Sequence, residues 1–354
     1  MKTGRLNKIT DVKGIKVGHK TIDNGDIHTG VTIIIPSEDN IFQNKYVASS
    51  YVINGFGKTS GLIQIDELGT LESIIGLTNT LNVGTVQQAI VKHMLKDNPD
   101  IGKETGTVNT VVGECNDGYL NDIRTCAVKE EDVYEAIHNA TIDFELGSVG
   151  AGRGMSCFQM KGGIGSASRI IELDGQEYTV GLLVLSNFGL KKDFIFDNIS
   201  FSDIDDETLE KGSIMMILAT DIPLSSRQLK RVCKRMSASL ARLGSYLGNG
   251  SGDIVIGFST ANIIPHYQTT DIINIKEIHE NKIDIVFRAS IEACEDAIMT
   301  SLYNNETPPA LELKFQESPL PKCLNNDLGF FWINTPTASI VEFDILDNTK
   351  SINA

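Results

Sequence analysis

Five short segments of this chain are apolar or β-branched at nearly every position: residues 31–36, 108–113, 178–186, 213–220 and 253–259. A strand with one face in water alternates apolar and polar side chains, so a run without alternation must be covered on both faces. Each run is bounded by Gly, Asn or Pro and is shorter than a buried helix usually is. The chain must therefore supply helices, or a second sheet, on both sides of these strands.

Helical periodicity supplies the covers. Over residues 227–245, Leu229, Val232, Cys233, Met236, Leu240 and Leu243 share one face. Arg227, Lys230, Arg231, Lys234 and Arg235 largely face away and read as a solvated surface. Ser225 or Ser226 can cap the start of this helix, and Gly244 or Gly248 its end. A second helix is expected over residues 287–303, with Ile291, Cys294, Ile298 and Leu302 inward, a third over 85–96, and a shorter one after Glu130. Residues 191–211 are acidic and weakly periodic and read as an exposed linker. That linker ends abruptly at Gly212-Ser213, where an apolar strand begins.

At 354 residues the chain is long enough for one large domain or two average ones. Its 46 acidic residues against 31 Lys and Arg give a formal charge of -15, which repels phosphate backbones and argues against nucleic acid as a partner. The longest apolar stretches, 180–186 and 214–219, are too short to span a bilayer, and the N-terminal segment lacks the apolar core of a signal peptide. A cytoplasmic protein without membrane contact is expected. Cys115, Cys126, Cys157, Cys233, Cys294 and Cys323 are scattered, with no CxxC pair and no His at ligand spacing, so free thiols are expected in place of zinc or disulfides.

The chemistry has to come from small polar residues set among glycines. Gly-rich stretches occur at 147–154 (GSVGAGRG), 162–165 (GGIG) and 248–252 (GNGSG). None fits a P-loop or a dinucleotide-binding turn, and tight turns explain many of these glycines equally well. There is no GxSxG elbow, and His19, His28, His93, His138, His266 and His279 stand in no recognisable catalytic setting. A hydrolase built from this chain needs a base other than histidine. An amino-terminal Ser or Thr provides one in its own α-amine, whose reference pKa of about 7.7–8.0 lies near neutrality. Gly212-Ser213 has the arrangement for making such a terminus: the Ser hydroxyl attacks the preceding carbonyl, and Gly offers little steric obstruction. A Gly-Ser pair before a strand is also common with no such role.

The surrounding sequence decides between these readings. The block at 211–262, KGSIMMILATDIPLSSRQLKRVCKRMSASLARLGSYLGNGSGDIVIGFSTAN, closely resembles the DmpA-type L-aminopeptidase/D-esterase and β-aminopeptidase family of self-processing hydrolases (peptidase family S58). Residues 9–19 (ITDVKGIKVGH), 109–123 (NTVVGECNDGYLNDI), 147–169 (GSVGAGRGMSCFQMKGGIGSASR) and 180–189 (VGLLVLSNFG) resemble it too, in order, over roughly residues 5–303.

The resemblance implies an α/β protein with a four-layer αββα sandwich, a single catalytic domain over residues 1–354. It implies cleavage between Gly212 and Ser213 into an α chain, 1–212, and a β chain, 213–354. Ser213 would be the nucleophile for self-cleavage and for hydrolysis through an acyl-enzyme. Ser251 matches a serine that hydrogen-bonds the nucleophile, Asp253 an acidic position held by Glu in some members, and Asn187 the oxyanion-stabilising Asn. Each also has a plain structural reading, as a Gly-rich turn, a cap or a strand end. Glu114 is the candidate for recognising the substrate's free amine. Asn116 would line the same pocket, where some relatives carry an aromatic residue; an Asx-turn role for Asn116 and Asp117 is equally open. Lys161 and the GGIG run are expected to shape the cleft.

The implied substrates are short peptides, amino-acid amides or esters, with no metal or cofactor required, and a homotetramer is expected. Residues 305–354, with Phe330, Phe331 and Trp332, have no recognised counterpart in the family. Two other readings stand beside the hydrolase. An acyltransferase would pass the same acyl group to an amine, as ornithine acetyltransferases do from an N-terminal Thr; Ser213 and GNGSGD favour the hydrolase. A non-maturing binding homologue is opposed by the joint presence of Ser213, Ser251, Asp253 and Asn187.

Overall fold

The computed structural model describes residues 1–196, 199–201 and 209–304. In chain order its strands begin with β1 (Lys16–Asn24), β2 (Ile27–Ile35), β3 (Asn44–Gly55), β4 (Thr70–Leu71), β5 (Ile75–Asn79) and β6 (Val111–Cys115). They continue with β7 (Ser156–Cys157), β8 (Met160–Lys161), β9 (Gly163–Leu173), β10 (Gln176–Asn187), β11 (Ile195–Phe196), β12 (Ile199–Ser200), β13 (Ser213–Thr220) and β14 (Gly252–Pro265). The helices are α1 (Leu62–Leu68), α2 (Val83–Asp97), α3 (Glu130–His138), α4 (Ser226–Lys234), α5 (Met236–Arg242) and α6 (Ile283–Tyr303).

One sheet has the order β1-β2-β5-β6 and the other β4-β3-β14-β13-β10-β9. Their inner faces meet in one core, in which Val17, Ile34, Leu77 and Val111 pack with Leu183, Leu185, Met215, Ile217, Ile254 and Phe258. On the outer side of the first sheet, Val31, Ile33 and Val112 pack against Val86 and Ile90 of α2 and Val133 and Ala136 of α3. Helices α4 and α6 cover the outer side of the second sheet. There β9 runs so close to α6 that a Cβ on Gly165 would overlap the Ala297 carbonyl oxygen. The order of layers is helix, sheet, sheet, helix, the α/β sandwich that the unalternating runs require. Every residue of β13 is buried, because a sheet lies on one side of it and helices on the other.

Two local expectations are corrected. The helix expected over residues 227–245 is broken into α4 and α5 at Arg235. The Arg235 guanidinium donates to the Arg231 carbonyl at 2.9 Å, the acceptor that the Arg235 amide would use in a continuous helix, and it stacks 3.7 Å from the Phe287 ring centre. The linker at 191–211 is not exposed throughout: Phe194 and Glu210 are buried. The four buried cysteines among the described residues, Cys115, Cys157, Cys233 and Cys294, are free thiols, and Cys126 is free and exposed. No helix among the described residues is long and apolar enough to cross a membrane. The C-terminal segment expected to diverge, 305–354, lies outside the described residues.

Candidate active site

Strand pairing gathers the sequence motifs at one end of the second sheet. β13 runs antiparallel to β10, which sets its first residue, Ser213, opposite the last residue of β10, Asn187. On its other side β13 runs parallel to β14, which sets Ser213 opposite the first residue of that strand, Gly252. The Gly252 amide donates to Ser213 Oγ at 3.1 Å. Residues 187, 213 and 251–253 are thus brought together by register alone. Ahead of Ser213 there is no room for a side chain, since a Cβ on Gly212 would overlap the Asn187 carbonyl oxygen.

Ser251 is fully buried and donates its hydroxyl to Asp253 Oδ1 at 2.5 Å. The other carboxylate oxygen, Asp253 Oδ2, is buried without a hydrogen-bond partner among the described residues. Burial pushes the Asp253 carboxyl up to about 7, the Ser251 hydrogen bond pulls it back, and the negative charge of Glu210 pushes it further up. A buried carboxyl that ionises near neutrality, with one oxygen open, is suited to exchanging a proton or holding an amine.

That arrangement costs stability. A carboxyl whose folded-state pKa is raised from 3.8 to about 7 binds a proton in the folded state that the unfolded chain has already lost. Its contribution is therefore fully present below about pH 4 and is lost as pH rises toward 7. In an uncleaved Ser213→Ala background, Asp253→Asn is expected to raise the urea midpoint at pH 8 and to leave it nearly unchanged at pH 4. Each pKa unit corresponds to about 1.4 kcal/mol, so the gain at pH 8 should be on the order of a few kcal/mol. An equal effect at both pH values would show that Asp253 ionises normally.

Glu114 reaches this end of the molecule from the first sheet. Gly113, beside it on β6, faces Met215 of β13 so closely that a Cβ would sit 2.6 Å from the Met215 methyl. Cys115 Sγ contacts the Leu185 carbonyl at 3.4 Å. Glu114 is buried, with Oε1 accepting from the Lys58 amide at 2.8 Å and Oε2 accepting from the Thr80 hydroxyl. Loop 56–58 links it to Ser251: a Cβ on Gly57 would lie 3.6 Å from Glu114 Oε1 and 3.8 Å from Gly252 Cα, and the Phe56 amide donates to the Ser251 carbonyl.

Asn116 takes part through its main chain. Its side chain is exposed and accepts from the Gly118 amide at 2.9 Å, an Asx turn, while its carbonyl accepts from Asn187 Nδ2 at 3.0 Å. Asn187 Oδ1 in turn accepts from the Ser156 amide at 2.9 Å, so the amide group is held from both ends. Ser156 begins the β7–β8 hairpin, whose turn residues Phe158 and Gln159 both lie in the left-handed region. Phe158 is locked by ring contacts with Phe188 and Phe194. Lys161 ends the hairpin and donates to the carbonyls of Gly152, Met155 and Gly162 at 2.9, 3.0 and 2.5 Å; burial pulls its ammonium down to about 7. It staples the hairpin whose Ser156 amide holds Asn187.

Sequence reasoning missed Glu210, Thr80, Gly57 and Ser156. Three of them act through main-chain approach or as partners of a residue already singled out, and neither leaves a sequence pattern. His19 is half-buried, with its ring nitrogens hydrogen-bonded to Thr32 and the Glu145 carbonyl, and its imidazole is pulled down to about 4, mainly by desolvation, which fits a structural role.

Two sheets between helical layers, with a serine heading a central strand, place the molecule among hydrolases of the N-terminal-nucleophile fold. The model of peptidase family S58 matches residues 7–312, and the chain belongs to that family. It is 33% identical over 338 residues to a β-peptidyl aminopeptidase of Sphingosinicella microcystinivorans, covering 86% of this chain and 83% of that one. Among solved structures, a protein of Pyrococcus horikoshii superposes with a TM-score of 0.83 at 49% identity, covering 88% of this chain and 94% of the other. The L-aminopeptidase D-Ala-esterase/amidase of Ochrobactrum anthropi, described as a prototype of the serine aminopeptidases, gives a TM-score of 0.78 at 29% identity, covering 89% and 95%. These similarities bear out the resemblance read from the sequence and make the chain a serine aminopeptidase.

Proposed function

We propose that the chain cuts itself between Gly212 and Ser213 and that the freed Ser213 then hydrolyses amino-terminal residues from short peptides, amino-acid amides or esters. The observation that carries this reading is the meeting of Ser213, Asn187 and Gly252 at adjacent strand ends, directly after a residue with no space for a side chain.

In the cut, Ser213 Oγ adds to the Gly212 carbonyl carbon, the C–N bond breaks, and the hydroxyl proton passes to the nitrogen, which becomes the α-amine. Water then splits the ester, restoring the hydroxyl and leaving Gly212 as a carboxylate. In turnover the neutral α-amine takes the Ser213 proton as Oγ attacks the substrate carbonyl. The Asn187 amide stabilises the oxyanion, and the acyl group leaves Ser213 by hydrolysis. The open oxygen of Asp253 and the Ser251 hydroxyl, on either side of Gly252, the strand partner of Ser213, would orient the α-amine. Glu114 supplies negative charge for the substrate's ammonium group, which gives a free amino terminus as the requirement for binding. The enzyme then works as chains 1–212 and 213–354 sharing one core. A homotetramer follows from the family resemblance and is read by light scattering. The buried unpaired thiols support a reducing, cytoplasmic setting.

Denaturing electrophoresis and N-terminal sequencing of the purified protein test the reading. The expected result is two bands of about 23 and 15 kDa by proportional length, the smaller beginning Ser-Ile-Met-Met, with release of p-nitroaniline from amino-acid anilides. An intact chain under conditions where anilide is hydrolysed would overturn the self-cleavage. Strict dependence of product release on an added amine would favour acyl transfer.

A further inference from the structure

Glu210 stands three residues before Ser213, in a segment whose composition reads as solvated linker, yet only 3% of its surface is exposed. A carboxylate is buried at reasonable cost only when its oxygens are well partnered. Here Oε1 accepts from the Gly189 amide and the Ser245 hydroxyl, both at 3.0 Å, and Oε2 accepts from the Gly248 amide at 3.1 Å. Its own amide donates to the Tyr246 hydroxyl at 2.9 Å. The three donors come from two places: Gly189 lies two residues past Asn187, and Ser245 and Gly248 lie on the loop that leads to Ser251.

The fit around it is close. A Cβ on Gly248 would come within 2.7 Å of Glu210 Cβ, and a Cβ on Gly250 within 3.5 Å of Lys211 Cα. Residues 210–212 therefore lie in a slot between the end of β10 and the 245–251 loop. That loop is held on its other side by Asn54 Nδ2, which donates to the carbonyls of Leu247 and Gly248 at 3.3 and 2.6 Å. It also contains Leu247 in the left-handed region, a conformation that a leucine keeps only when its neighbours enforce it.

We infer that Glu210 is a positioning residue for self-cleavage: its carboxylate fastens the residues before the scissile bond to the two loops that carry Asn187 and Ser251. The inference rests on the reading of Gly212-Ser213 as the bond that is cut. Ser213 Oγ accepts from the Gly252 amide on one side, and on the other Glu210 anchors the segment that leads into Gly212. Attack within one chain gains its rate from holding the two reacting atoms in place, and this anchor lies two residues from the carbonyl.

The test is the rate at which freshly translated full-length chain converts to two pieces, followed on denaturing gels. Glu210→Ala removes all three acceptor contacts and is expected to slow conversion about 30-fold or more. Glu210→Gln keeps an acceptor for Gly189 and Ser245 but turns a donor toward the Gly248 amide, and is expected to recover part of that loss. This partial rescue separates positioning from bulk packing, which Gln preserves. The same substitutions in an uncleavable Ser213→Ala chain report folding through the melting temperature. If Glu210→Ala does not fold, Ser245→Ala removes one donor to Glu210, together with the acceptor of the Leu247 amide, and decides the matter: about two- to fivefold slower conversion with an unchanged melting temperature in the Ser213→Ala background supports the inference, and an unchanged rate overturns it. Wild-type conversion with Glu210→Ala cut equally fast sinks this inference alone. A wild-type chain that is never cut sinks the self-cleavage reading and the inference with it.

Discussion

Replacing Ser213 with Ala is expected to leave one full-length chain on a denaturing gel and to lower hydrolysis of amino-acid anilides by at least about 10⁴-fold, the scale on which loss of a covalent nucleophile acts. The substitution is a clean one structurally. Ser213 is buried at the head of β13, and its hydroxyl has one described contact, accepting from the Gly252 amide at 3.1 Å. Alanine keeps the strand pairing with Asn187 and Gly252, which is a main-chain matter. The fold loses a single acceptor, worth about 1–3 kcal/mol when the donor stays buried. A variant that melts cooperatively near the wild-type temperature but neither matures nor turns over would therefore report chemistry and not folding. Surviving hydrolysis in the intact chain would show that another group is the nucleophile. Ser213→Thr separates the two duties further. It keeps a hydroxyl and an α-amine but adds a methyl group against a crowded strand end, so slower maturation with residual turnover is expected.

The strands of this molecule are legible in its sequence because covering a strand on both faces removes its alternation. Residues 213–220 show it most plainly, and every one of them is buried. The same strand start drew attention to Ser213 as a candidate nucleophile, but Gly-Ser before a strand is common, and only the resemblance of the surrounding blocks favoured that role. Helix α6 is legible from its apolar spacing, but it starts at Ile283, four residues before the expected start, with Ile283 and Val286 of its first turn already buried. What sequence could not give is anything that depends on two segments meeting. Glu210 is one acidic residue among many in 191–211, and only Gly189, Ser245 and Gly248, 21 to 38 positions later or earlier in the chain, turn it into a buried anchor. Asp253 was legible as an acidic residue in NGSGD, but its open oxygen and its rise to about 7 come from burial and from Glu210. Asn116 shows the opposite case. Its side chain is spent on a local turn, which its GECNDG setting allowed, and its carbonyl, invisible to side-chain reasoning, is what touches Asn187.

Asn187→Ala is expected to lower kcat about 10²- to 10³-fold, with kcat/KM falling in parallel and KM changing little. The reason is the way the amide is oriented. Ser156 donates to Oδ1, which fixes the nitrogen on the other side, and one of the two N–H groups there is taken by the Asn116 carbonyl. The second is the one proposed to meet the oxyanion at Ser213, the strand partner of Asn187. Orientation of this kind costs nothing at the moment of reaction because it is built into the fold: Lys161 ties the Gly152 and Met155 carbonyls ahead of Ser156 to the Gly162 carbonyl beyond the hairpin, and the Phe158 amide donates to the Phe188 carbonyl at 2.6 Å. Losing an interaction made only as charge develops on the carbonyl oxygen lowers kcat without weakening substrate binding. Asn187→Asp keeps the size but replaces the donor with a negative charge beside the developing oxyanion, so its loss should equal or exceed that of Ala. Both variants leave the Ser156 amide or the Asn116 carbonyl short of a partner, and melting temperatures measured beside the kinetics separate that cost from catalysis. A rise in KM alone, or a change in kcat below about threefold, would place the oxyanion donors elsewhere, with the main-chain amides at this strand end the first to examine.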